Sequence, residues 1–364
     1  LLLGSTIFSV GIQGSPQSKN TFSGLRNGIL ANSSTLYLYE AHFDNLRGTL
    51  AHTNASPTFG SGGVGVFLNN GSLVGSGNFF DGGMRTVRAL HIDKASLRFT
   101  ENEITNVGTA IYCKPPTSGT TYIAGNTIRF LYRGIVVNGS GVSSRIQIER
   151  NNPVMAQPSG DVSDVAGIQV ESGAATSIIT KRIALNELTM RGDQNGIAIR
   201  SSGGWQVFGN NVTYSATQKG TGIRVETANN CYLNGNSVLG QGIGGSTNGM
   251  VVMASSNTRM CCNSANLMRY GFKFMGSCNA TRLRHSEIRN LYTGLRLEAN
   301  TSIGIQVHGG NKWYLTDYPG FAAQHLGSCI NIQNSAFRVQ PPQGTALWPA
   351  ESEIESNAVP GGWF

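Results

Sequence analysis

The chain has 364 residues, 39% hydrophobic and only 13% charged, with 48 glycines and a formal net charge of +8. That length allows a large core and, taken alone, two or three domains. Low charge and abundant glycine exclude a charge-rich helical protein and a disordered one, and point to β-structure with many turns. The positive balance reflects scarce acids, 19 against 27 Lys and Arg. The basic residues form no runs, so no nucleic-acid partner is expected. No apolar run approaches the length of a membrane span. The opening LLLGSTIFSV lacks the basic flank of a signal peptide, and a start at Leu1 reads as a processed chain or a piece of a longer one.

From about residue 20 a single unit repeats. A small residue opening an apolar-x-apolar run stands at Gly28, Gly65, Ala89, Ala110, Gly134, Gly167, Gly196, Gly222, Gly249, Gly271, Gly294 and Cys329. A second series, apolar-x-x-Asn-x-apolar, interleaves with it. Its Asn position is filled by Ala41, Asn78, Asn102, Asn126, Asn151, Asn186, Asn210, Asn236, Asn263 and Ser286. A period in the twenties with two short alternating runs per repeat predicts a solenoid of parallel strands about 4.8 Å apart. Aliphatic residues such as Val66, Ile135, Ile168, Ile197 and Ile223 would stack like on like inside. The Asn row would turn inward as a hydrogen-bonded structural ladder. Three long steps carry AHTNASPTFGSGG, NPVMAQPSGDVSD and GGNKWYLTDYPGFAAQH, which read as loops thrown out of a turn. The expected organisation is a solenoid over 1–335 with insertions near 50–62, 152–165 and 309–326, then a capping extension over 336–364.

The paired G-I-x-V and apolar-x-x-N-x-I motifs resemble the right-handed parallel β-helix repeat of the pectate-lyase-like superfamily, over about residues 20 to 335. The resemblance implies an all-β, single-stranded right-handed parallel β-helix of about 11–12 coils. Its members include lyases, hydrolases, epimerases, tailspikes and adhesins, so it implies little about activity. The tail, through Asn311, Trp313, Gly320, Ala322, His325, Phe337, Val339, Pro349, Trp363 and Phe364, is similar to segments closing β-helices in secreted Bacteroidota surface proteins exported by a type IX secretion system. That likeness implies an extracellular or cell-surface location.

Chemistry is harder to find. The aspartates are scattered with no DD or DxD pair, and the DVSD loop of Asp161 and Asp164 reads as a solvated turn. Glu103, Glu187 and Glu287 follow the Asn marker on distant turns. The histidines, His91 and His308 among them, form no HxH or HExxH set, so no metal or other cofactor is expected. The six cysteines lack CxxC spacing and read as core thiols, with a disulfide among Cys231, Cys261, Cys262 and Cys278 left open.

One outward row stands out, four residues before the Asn marker: Arg98, Tyr122, Gln147, Arg182, Gln206, Tyr232, Arg259 and Arg282. Between the apolar positions of the first marker, Arg224, Lys273 and Arg296 add further cations. Tyr and Arg on a flat sheet can stack on sugars and bind acidic groups. Exposed strands also favour such residues for solubility alone. The candidate ligand-binding set is therefore Tyr122, Arg182, Arg224, Tyr232, Arg259, Lys273, Arg282 and Arg296. The favoured reading is a non-enzymatic spacer or adhesin-like module of a larger surface or filament protein, self-assembling or binding polysaccharide or other surface proteins. The alternatives are a polysaccharide lyase, hydrolase or epimerase, and a tailspike-like fibre component.

Overall fold

The computed structural model describes residues 2–4, 6–11, 20–48, 63–140, 143–156, 165–173, 181–215, 219–307, 309–314, 320–338 and 354–356. The loop expected near 50–62, the Asp161 and Asp164 loop, and His308 lie outside them. The chain is almost entirely β, with parallel strands stacked as a β-solenoid of about 11 turns. It divides into two compact units, Leu1–Thr189 and Met190–Phe364.

Each regular turn has three strands rather than two, because the Asn marker sits at a corner that splits the second alternation. In the first unit, the first face stacks Ile29, Val66, Leu90, Ile111, Ile135 and Ile168 in register, all buried. A second inward column of Leu68, Ile92, Cys113, Val137 and Val170 runs beside it. Each buried aliphatic is worth roughly 1.5–3 kcal/mol, and Cys113 simply fills a small position in that column. The third face begins with three stacked rings, Phe22 on Phe43 at 4.7 Å and Phe43 on Phe80 at 4.5 Å.

The second unit repeats the plan with Ile197, Ile223, Met250, Phe272, Leu295 and Ala323 in register on its first face. Val207, Leu233, Met260 and Leu283 form the second face, and Val212, Val238, Ala265, Ile288 and Trp313 the third.

The corner before each ladder Asn is left-handed: Glu101 (φ 58°), Gly125 (φ 67°) and Arg150 (φ 52°) in one unit, Gly235 (φ 62°) and Cys262 (φ 57°) in the other. That turn aims the following carboxamide inward. Asn78 donates to Asn102, Asn102 to Asn126 and Asn126 to Asn151, each at 2.8 Å. In the second unit Asn210 donates to Asn236 at 2.9 Å and Asn236 to Asn263 at 3.0 Å.

The C-terminal turns differ from expectation in detail. Cys329, which the first marker places at the start of a strand, opens the helix Cys329–Gln333. Its place in the stack belongs to Phe321–His325, where Leu295 pairs with Ala323. Within the span expected as a loop over 309–326, Lys312–Trp313 pairs with Glu287 and Ile288, and Asn311 accepts from the Ser286 N–H at 3.0 Å. Asn311 is thus a ladder residue hidden by its irregular spacing. Within 152–165, Asn152–Met155 is a regular strand. Beyond 335, Phe337–Arg338 pairs with Gln306–Val307, and Ile354–Ser356 adds to Phe321–His325.

Candidate functional site

In the first unit the outward row of the second face is assembled as the spacing implied. Arg98 pairs in register with Tyr122, Tyr122 with Gln147 and Gln147 with Arg182. With Thr120, Arg145 and Glu149 these side chains line an open groove of about 390 Å³. The Arg98 guanidinium lies 5.3 Å from the Tyr122 ring centre, a cation–π contact worth about 0.5–1 kcal/mol at an exposed position. Arg182 Nε approaches Glu149 Oε1 at 2.9 Å, although the N–H does not point at the oxygen. The groove thus carries three guanidinium groups, one phenol, one carboxamide and a single carboxylate.

In the second unit Gln206, Tyr232, Arg259 and Arg282 also stack in register. Tyr232 is 39% exposed, and Arg259 and Arg282 stand adjacent with no acidic partner among the described residues. Arg282 and Arg284 line a smaller hollow of about 150 Å³ with Ile305, Gln306 and Val307.

The other three candidate cations are engaged with acids of their own face. Arg224 meets Glu226 at 2.9 Å, while Lys273 and Arg296 both meet Glu298 at 2.8 Å. Arg296 also donates to Gln324 at 2.7 Å and lies 4.8 Å from the Tyr270 ring centre. Burial alone would raise the Glu298 pKa, but its hydrogen bonds and charge contacts with Arg296 and Lys273 outweigh that and hold it below the usual carboxylate range.

Sequence reasoning missed a third group, on the outward side of the first face in the first unit. Phe67, His91 and Tyr112 stack in register, with ring centres 5.2 Å and 4.6 Å apart. Arg88 donates to His91 Nδ1 at 2.5 Å and covers Tyr112 at 4.7 Å. Since a guanidinium can only donate, His91 is neutral with its proton on Nε2. Burial, aided by the Arg88 charge, lowers the His91 pKa to about 3, and burial lowers Arg88 to about 10. Tyr112 is raised by burial, and less by Asp93 and Glu171, against the hydrogen bond from Asn138 at 3.2 Å. Asp93, two residues beyond His91, and Glu171, two beyond the buried Gln169, are half-buried. Gln169 donates to Glu171, and Asp93 Oδ1 is buried without a partner. Asp93 and Glu171 do not form a pair: along the stack Asp93 is followed by Lys114, and Asn138 by Glu171, which puts the two carboxylates three rungs of about 4.8 Å apart. The signal was present as His91-x-Asp93 and Gln169-x-Glu171, since period two puts both members on one face.

No family model and no curated relative matches the chain. Among solved structures it is similar to the catalytic unit of the thermostable GH87 alpha-1,3-glucanase from Streptomyces thermodiastaticus strain HF3-3, with a TM-score of 0.53 and 14% identity. The match covers 93% of this chain and 63% of the glucanase chain, so it spans less than two thirds of that protein. At this identity the likeness is one of fold: the protein is a parallel β-solenoid.

Proposed function

We propose that the protein is a carbohydrate-active β-solenoid that holds an anionic polysaccharide along the Arg98, Tyr122, Gln147 and Arg182 row. The observation that carries this is the groove itself. Arg98, Arg145 and Arg182 surround Tyr122 with Glu149 as the one acid. Rungs about 4.8 Å apart present repeated charge to a repeated polymer, and guanidinium forks suit carboxylates. The test is calorimetric titration with polygalacturonate and with a neutral glucan. Polygalacturonate should bind, more weakly as salt rises, and the Arg98→Ala/Arg145→Ala double variant should lose at least about tenfold in affinity. Equal binding of the neutral glucan by both proteins would sink the proposal.

A second reading, cleavage of a polysaccharide, is favoured by the catalytic unit to which the fold is similar. New reducing ends from an α-glucan or polyuronate panel would establish it. Binding without product would return the protein to the role of an adhesin-like or spacer module. A location outside the cell belongs to either reading, as such polymers lie there. The pectate-lyase-like motifs and the type IX resemblance of the tail support that placement.

A further inference from the structure

We propose that Cys261 and Cys262 form a vicinal dithiol that closes to an intrastrand disulfide by exchange with a small-molecule disulfide. The two Sγ atoms are 2.9 Å apart, and both cysteines are unbridged. Cys262 is exposed and Cys261 half-buried, so a small reagent can reach the pair. Their convergence has a backbone cause. Cys261 ends the strand Arg259–Cys261, and Cys262 takes the left-handed corner with φ 57°. In successive turns this corner follows Asn234 with Gly235 and Arg284 with His285, so here alone it places two thiols together.

The remaining cysteines of the second unit whose side chains are described behave differently. Cys231 Sγ donates to Ala228 O at 3.4 Å and Cys278 Sγ to Met275 O at 3.4 Å, both buried. They serve as core thiols, whereas Cys261 is half-buried and Cys262 exposed.

The exchange balances in two steps. The Cys262 thiolate attacks one sulfur of R–S–S–R, joining to it and expelling one RS⁻. The Cys261 thiolate then attacks Cys262 Sγ and expels the second RS⁻. Two protein thiols are oxidised to one disulfide, the reagent is reduced to two thiols, and the two protein protons pass through solvent to the released thiolates. Adjacent Cα atoms lie about 3.8 Å apart, below the usual range for a disulfide, so the ring is strained and easily reopened by dithiothreitol.

The experiment treats the full chain with excess oxidised glutathione at mildly alkaline pH, then reads intact mass and proteolytic peptides. The expected result is the loss of two hydrogens, with an internal link in the peptide bearing Cys261 and Cys262, reversed by dithiothreitol. Cys262→Ser and Cys261→Ser should each retain one glutathionyl group at the surviving cysteine, because the second step has no nucleophile. Two glutathionyl groups on the wild-type peptide, no reaction at that peptide, or a link to Cys231 or Cys278 would overturn the proposal.

Discussion

Asn126 Oδ1 accepts two hydrogen bonds from Asn102, one from its carboxamide at 2.8 Å and one from its backbone N–H at 3.0 Å. A single side-chain oxygen thus satisfies two buried donors of the preceding turn. Asn126→Ala leaves the Asn102 backbone N–H unpaired and its carboxamide with only the bond to Thr100 O, and also removes the donor to Asn151. An unsatisfied buried group costs about 1–3 kcal/mol, so the variant should unfold at clearly lower urea with little change in the slope of the transition.

The small residue opening each first-face run has an equally local cause. A Cβ on Gly222 would stand 2.3 Å from Val238 Cγ1 and 2.7 Å from the Gly249 carbonyl oxygen. Gly222→Ala should therefore cost roughly 1–3 kcal/mol through overpacking, although alanine favours regular structure elsewhere. Thermal unfolding of this variant beside Gly244→Ala, whose Cβ meets nothing within 4 Å, separates crowding from any general effect of losing glycine.

His91 sets a pH dependence with a definite sign. Its pKa is about 3 in the folded protein, against roughly 6.5 unfolded. Above that unfolded value neither state is protonated. As pH falls from there toward 3, only the unfolded chain gains the proton, so stability falls by up to about 1.4 kcal/mol per pH unit. His325, lowered by burial to about 4, acts in the same direction. Denaturant unfolding between neutral pH and pH 4 should show this slope, and His91→Gln should flatten it.

Glu298 holds two of the cations that the sequence marks as candidate ligands. Glu298→Gln should release Lys273 and Arg296 toward an anionic polymer and raise affinity for polygalacturonate a few-fold at low salt. The stability change should stay within about 1 kcal/mol, as expected of ion pairs near the surface. Titration calorimetry and urea unfolding of the same variant give both quantities.

The repeat was legible because each structural need selects one residue type at one place. Close approach to the next turn's carbonyl selects glycine at Gly222, and the inward hydrogen-bonded corner selects asparagine at Asn126. The ladder row from Arg98 to Arg182 followed from the same period, since equivalent positions must align in a parallel stack. The pairing of Arg224 with Glu226 and of Arg296 with Glu298 was also readable, as Arg-x-Glu on one strand face. It is overlooked when only positions one turn apart are compared.

What the sequence alone determined is therefore the parallel β-solenoid, its Asn ladder and its aliphatic columns, since these depend on contacts one period away. The tertiary structure decided the rest. Three faces per turn, the helix at Cys329, the burial of His91 against Arg88, and the meeting of Cys261 with Cys262 each depend on where a corner bends or what covers a face. Corners and covers are set by backbone φ and packing at single places, so no repeated residue announces them.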